Sequence, residues 1–169
     1  MTKKFKATFA NYKKRGAWVE LLFMTQASKR GFSVSKPWGD AELYDVVLES
    51  EGCFLRIQVK STDSWNGGSY MCALSAGGGR SYTSKDLDYF GIYILPDDVW
   101  YIFPASRLVG KSAVALSPHR TREDCESEWY REAWSLLQPR RGRRKNPKGP
   151  QVHCPPRKPP RRDEASDSK

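Results

Sequence analysis

The sequence predicts an α/β body built on a mixed β-sheet, followed by a basic tail. Three observations predict it. A nearly unbroken apolar run close to the N-terminus has helix length and is closed by Gly31. Several β-prone segments follow, the first long pair meeting at Glu51-Gly52. From Pro139 onward apolar residues almost vanish, and seven of the 11 prolines gather there. The folded body is therefore assigned to residues 1–138 and the tail to residues 139–169.

The first element runs from about Lys13 to Arg30 and carries Trp18, Leu21, Leu22, Met24 and Ala27. Period alone does not separate helix from strand in Trp18–Met24. Length, Lys29-Arg30 at the negative end of a helix dipole and Gly31 at the stop favour helix. Strands are expected at Phe32–Ser35, Leu43–Ser50, Cys53–Lys60 and Ser69–Ser75. Gly77–Gly79 reads as a loop and Ser84–Leu87 as a short helical turn. Asp88–Leu95 and Val99–Phe103 are β-prone runs around Pro96-Asp97-Asp98. Phe90, Tyr93, Trp100 and Tyr101 lie inside them and are read as core. Arg122–Gln138 reads as a closing helix, because Tyr130, Ala133, Trp134 and Leu137 recur at helical spacing. Strands interleaved with helices give an α/β body.

Charge is unevenly distributed. The chain holds 29 Lys+Arg against 19 Asp+Glu, a net of +10. Residues 139–169 carry +8 and residues 1–15 carry +6, so the middle is −4. A uniformly basic protein is excluded; a folded domain with two polycationic arms remains. The tail, with Arg140, Arg141, Arg143, Arg144 and Lys145 at its head, has too little apolar surface to offset ordering and is expected to be disordered. No run approaches the ~20 apolar residues of a membrane helix, so no membrane role is expected. The N-terminus lacks the apolar core of an export signal. Four separated cysteines read as free thiols of a reducing cytoplasm.

The strands around Glu51-Gly52 are the most informative. With a two-residue turn there, Ser50 faces Cys53, and the register places Val46, Leu48 and Tyr44 opposite Ile57, Leu55 and Val59. All six are apolar or aromatic, so the pattern supports the register. The same register sets Asp45 opposite Gln58, with Lys60 two residues on along the same face, and Arg56 and Glu49 there too.

An acid, an amide and an amine on one face suit phosphodiester chemistry. A magnesium-type ion wants oxygen ligands. Asp45 offers a carboxylate, Gln58 an amide oxygen and Val59 its carbonyl. Such an ion activates water and stabilises the charge developing on phosphorus. Lys60 could orient that water or neutralise the scissile phosphate. Glu20, the one charge in the apolar helix, is costly to bury alone and should face a cleft, a cation or a metal. If its helix packs beside the hairpin, it supplies a second carboxylate. The plainer alternatives are a cross-strand Asp45–Lys60 ion pair worth about 0–1 kcal/mol, and a Glu20 on a thin solvent stripe.

Glu20, Gly39-Asp40, Tyr44-Asp45-Val46-Val47 and Arg56-Ile57-Gln58-Val59-Lys60-Ser61 together resemble the PD-(D/E)XK nuclease superfamily. They are closest to its group I intron-associated endonuclease branch, in which QVK replaces (D/E)xK. Asp88–Tyr93, Val99–Pro104 and Trp134 also look like that branch. The resemblance covers about residues 12–138. It implies a restriction-endonuclease-like core, a mixed sheet flanked by helices, and magnesium-dependent cleavage of DNA. It matches Asp45 to the first-motif acid, Gln58 to the variable acidic position, Lys60 to the catalytic lysine and Glu20 to the helical glutamate near the metal. Tyr44 stands where the superfamily's name has Pro, and neutral Gln58 lowers the site's charge by one. Manganese is the expected alternative to magnesium, and a homo-oligomer is implied because a duplex offers two strands.

Lys13, Lys14 and Arg15 ahead of the helix, Arg80 in the glycine-rich loop, and the tail cations are candidate phosphate contacts. The leading function is a metal-dependent endodeoxyribonuclease, homing-endonuclease-like or Holliday-junction-resolvase-like, acting on double-stranded DNA in the cytoplasm or at the nucleoid. The competing functions are a DNA-binding module that keeps the fold without catalysis, and an RNA-binding accessory protein acting through the tail.

Overall fold

The computed structural model describes residues 9, 11–39, 41–76 and 79–138. The expected disorder of the tail, its cations and the matched Asp40 lie outside these residues. Helix α1 spans Tyr12–Lys29. Asn11 caps it, its side-chain oxygen accepting from Lys13 N at 2.8 Å and Lys14 N at 3.4 Å. At the other end Arg30 N and Gly31 N bond back to Ala27 and Ser28 carbonyls. Gly31, at φ +87°, lets the chain turn out of the helix.

Strands β1 (Ser33–Ser35), β2 (Val46–Ser50), β3 (Cys53–Thr62), β6 (Tyr89–Ile94) and β7 (Val99–Pro104) form one sheet in the order β1-β2-β3-β6-β7. The β3–β6 pair is parallel and the others antiparallel, so the sheet is mixed as expected. A second sheet, β4 (Trp65–Asn66), β5 (Ser69–Ala73) and β8 (Ala113–Leu116), has the order β4-β5-β8. Two of its strands, β4 and β8, are too short for a sequence pattern to reveal.

The β2–β3 hairpin has the anticipated register, Val46 opposite Ile57 and Ser50 opposite Cys53. Glu51 and Gly52 both have positive φ, +54° and +77°, the turn whose twist matches paired strands. The ladder departs from expectation at its far end. It stops at Val46, so Tyr44 does not pair with Val59, and Asp45 N instead donates to Ile57 O one step off register.

Alternation gives β3 two different sides. Val59 pairs with Gly91, and Phe23 of α1 lies over Gly91 so closely that a Cβ there would fall 2.7 Å from its ring. Leu55, Ile57 and Val59 therefore face the helix, with Val19, Phe23 and Ala27 above the sheet. Phe23 also meets Trp100 and Trp134, each with ring centroids 5.3 Å away. Arg56, Gln58, Lys60 and Thr62 share the opposite side. There β5 covers the end of the strand, Thr62 Oγ1 donating to Met71 O.

The expected closing helix is absent. Two 3-10 helices, Glu126–Tyr130 and Trp134–Leu137, replace it. Between them Arg131 bridges to Tyr101, and Glu132 N donates to Trp100 O at 2.8 Å. Glu132 adopts φ +50°, and its carboxylate accepts from Trp100 N and Trp134 Nε1. This segment covers the β7 edge, whose open hydrogen bonds outweigh helical period. The sheet is thus flanked by one α-helix among the described residues. Ser84–Leu87 is likewise a hydrogen-bonded turn, held by Thr83 and Asp86. The free-thiol expectation holds for Cys72 and Cys125 but not for Cys53, which is disulfide-bonded; residue spacing carries no record of which thiols meet.

Candidate active site

The early end of β2 leaves the β2-facing edge of β3 unpaired from Gln58 onward, and Asp45 fills the gap. Its Oδ2 accepts from Val59 N at 2.8 Å and from Gln58 Nε2 at 2.5 Å. The N–H and C=O of one strand residue point to the same side. The Val59 carbonyl therefore also faces this gap. It accepts a 3.3 Å contact from Gln58 Nε2. The neutral amide matters here. A carboxylate at position 58 would repel Asp45 at this distance, whereas Gln58 donates a hydrogen bond to it through Nε2 and keeps Oε1 as an acceptor.

Lys60 stands on the same side of β3. Its Nζ donates to Ser75 O at 3.2 Å and lies 5.3 Å from the centre of the Tyr82 ring. Asp45, Gln58, Lys60 and Arg80 line one cleft of about 420 Å³, closed by Leu43 on one wall and Tyr82 on another. The structure thus brings Asp45, Gln58, Lys60 and the Val59 carbonyl together. Arg56 and Glu49, expected on this face, are engaged elsewhere. Arg56 binds Asp88 and Lys85 O, and Glu49 accepts from Gly52 N.

Glu20 approaches from the helix layer. Its charge acts on Asp45, but Oε2 is held by Lys36 Nζ at 2.5 Å. Of the roles open to it from sequence, facing a cation is the one observed. Lys36 went unnoticed in the sequence, since Ser35-Lys36-Pro37 belongs to no motif and nothing in the chain's order links it to Glu20. Nothing in the chain's order links Tyr82 or the Ser75 carbonyl to Lys60, which the two position.

The electrostatics are strained at one point. Burial pushes the Asp45 carboxyl up from 3.8 to about 6. The Val59 N–H opposes that rise, Glu20 adds to it, and Lys60 and Lys36 pull it back. Two carboxylates thus act on one another, and one of them, Asp45, sits against the Gln58 amide and the Val59 backbone. All four donors are oxygens, the set that suits magnesium or manganese and not a soft metal. Among the described residues no group of three or more His, Cys, Asp or Glu is placed to hold a metal ion. A divalent ion here would rely on two acids, neutral oxygens and water.

The comparisons with known proteins bear on the family and the fold. The model of the PD-(D/E)XK endonuclease family matches residues 10–137. The chain belongs to the PD-(D/E)XK endonuclease family. A bacterial homing endonuclease, I-Ssp6803I, shares 29% identity with it at a TM-score of 0.66, over 76% of this chain and 93% of that one. A Holliday junction resolvase of Archaeoglobus fulgidus, Hjc, shares 17% at a TM-score of 0.45, over 62% of this chain and 84% of that one. No curated relative matches. The fold is that of the restriction-endonuclease-like nucleases.

Of the candidate phosphate contacts outside the cleft, Lys13 and Lys14 are exposed at the start of α1. Arg15 is pinned to Asp63 by a 2.9 Å ion pair. Among the described residues no helix is long and apolar enough to cross a membrane.

Proposed function

We propose that this PD-(D/E)XK family member is a metal-dependent endodeoxyribonuclease that hydrolyses phosphodiester bonds of duplex DNA. The observation that carries the reading is Asp45, half-buried at the end of β2 against Gln58 and Val59, with Lys60 in the same cleft. Asp45, Glu20, Gln58 Oε1 and the Val59 carbonyl would hold a magnesium or manganese ion. When bound, that ion supplies an activated water and neutralises charge developing on the phosphate.

The chain's own groups do the rest. Lys60, fixed by the Ser75 carbonyl and the Tyr82 ring, holds a positive charge beside the reacting phosphate. Gln58 keeps Asp45 aimed into the gap. Arg80, at the cleft, binds a neighbouring phosphate, and Lys13 and Lys14 contribute sequence-independent attraction. The basic tail acts as a second such arm. Each chain carries one such site, so cutting both strands calls for two copies of the chain or two encounters. Likeness to a homing endonuclease favours an extended duplex as the substrate.

The test is conversion of supercoiled plasmid, linear duplex and branched DNA, with magnesium, with manganese and with EDTA. Ion-dependent nicking or linearisation is expected. Plasmid left intact under both ions, with duplex binding retained, would leave a DNA-binding module that lacks catalysis.

A further inference from the structure

Lys36 is the first residue after β1, followed by Pro37 and by the fully exposed Trp38. Its side chain is 49% exposed, whereas that of Glu20 is 21% exposed. The long stem thus carries an ammonium from the protein surface onto a carboxylate that is more buried than itself. Its charge acts on Asp45 as well as on Glu20. The two acids assigned to the divalent ion therefore already share a cation supplied by the chain. A lysine suits this role because its charge is compact and its stem flexible, so it can leave without disturbing the backbone.

We propose that Lys36 is an exchangeable counter-ion: it holds Glu20 in the ion-free protein and competes with the divalent ion for that carboxylate. This rests on the metal-dependent reading above and goes beyond it, because it assigns to a residue outside the motif the control of ion affinity. Glu20 stays oriented toward Asp45 while no ion is bound, and the ion must displace the ammonium to reach it. The outcome is weaker ion binding by the free protein than the oxygen donors alone would give.

The experiment measures binding of Mn2+ alone, without DNA, by the loss of the free-ion EPR signal. Wild type, Lys36→Met, Lys36→Arg, Glu20→Gln, Glu20→Gln/Lys36→Met and Asp45→Asn are compared. Lys36→Met is expected to tighten binding at least fivefold, and Lys36→Arg to stay within twofold of wild type. In the Glu20→Gln background, Lys36→Met should change affinity less than twofold, since the contested carboxylate is gone. Equal tightening with and without Glu20 would mean a general charge effect and overturns the proposal. So does Lys36→Met binding no tighter than wild type. Binding that requires Asp45 but ignores Lys36 sinks this proposal alone. Mn2+ that binds no variant, or binds Asp45→Asn as well as wild type, sinks the metal-dependent reading with it.

Discussion

Two aspartates solve the same backbone problem on opposite sides of β3, and they end in different states. On one side β6 has not yet begun, and Asp88 accepts from Arg56 N at 2.8 Å. On the other side β2 has ended, and Asp45 accepts from Val59 N at 2.8 Å. Each carboxylate replaces a missing strand. Asp88 is then neutralised: the Arg56 guanidinium lies 3.2 Å away, and the acid is 1% exposed. Asp45 has no ion pair within 4 Å among the described residues; it is held by an amide and a backbone N–H, a second acid acts on it, and Lys60 and Lys36 act on it only from beyond ion-pair distance. A charge that serves the fold is paired within the chain. Asp45 is kept short of such a partner, which is the condition for binding a cation from outside.

The sharpest way to break this comparison is to remove both charges while keeping shape. Asp45→Asn is expected to lower the DNA cleavage rate at least ~1,000-fold, about 4 kcal/mol of barrier, with duplex affinity little changed. Asp88→Asn should leave the rate of folded protein within about threefold. Single-turnover cleavage, normalised to folded fraction, reads both. Comparable losses would mean that the two acids play one role.

The next effect is on stability and changes with pH. The folded-state value of Asp45 lies above the ordinary 3.8, at about 6. The folded protein therefore binds more protons than the unfolded chain across this window. Stability falls as pH rises from 4 through 6, and the loss persists above it. Wild type should lose about 2 kcal/mol relative to Asp45→Asn between pH 4 and pH 8. Urea unfolding of both proteins at the two pH values measures it. Magnesium should restore part of the difference at pH 8 in wild type alone. A gap that does not change with pH would show that Asp45 binds its proton equally in the folded and unfolded protein.

Asp88→Asn carries the opposite sign. It leaves the Arg56 guanidinium with its main counter-charge gone, at a cost of about 2 kcal/mol at pH 7. The same unfolding series reads it, and a stabilised variant would contradict the assignment of Asp88 to the fold.

Part of this contrast was legible in the sequence. The turn at Glu51-Gly52 and the two-residue period fixed which residues share a side of the hairpin, because a slip by one would expose Val46, Leu48 and Ile57. That put Asp45, Gln58 and Lys60 together. It could not reveal that β2 would stop at Val46, because Tyr44 is as good a strand residue as its neighbours. The gap that turns Asp45 inward depends on where pairing ends. Nor could the sequence separate Glu20 in contact with a metal from Glu20 in contact with Lys36, since both satisfy a lone acid. The closing segment misled for a third reason. Its helical period is real, but Glu132 is claimed by Trp100 and Trp134.

The same distinction between paired and unpaired charge should appear, at its smallest, among the cations in the first turn of α1. Lys13 and Lys14 are exposed and have no ion pair among the described residues, whereas Arg15 is held by Asp63 and lies 5.0 Å from the Tyr12 ring centre. A cation already neutralised by a carboxylate releases fewer counterions when DNA arrives. Each phosphate contact contributes about 0.9 to the slope of log affinity against log salt. Lys13→Ala should lower that slope by about 0.9, and Arg15→Ala by clearly less, while costing under about 1 kcal/mol of stability. Fluorescence anisotropy of a labelled duplex with EDTA present, from about 50 to 200 mM salt, separates the two. Equal slopes would mean that Arg15 leaves Asp63 for a phosphate, and that pairing in the free protein does not decide which charges meet DNA.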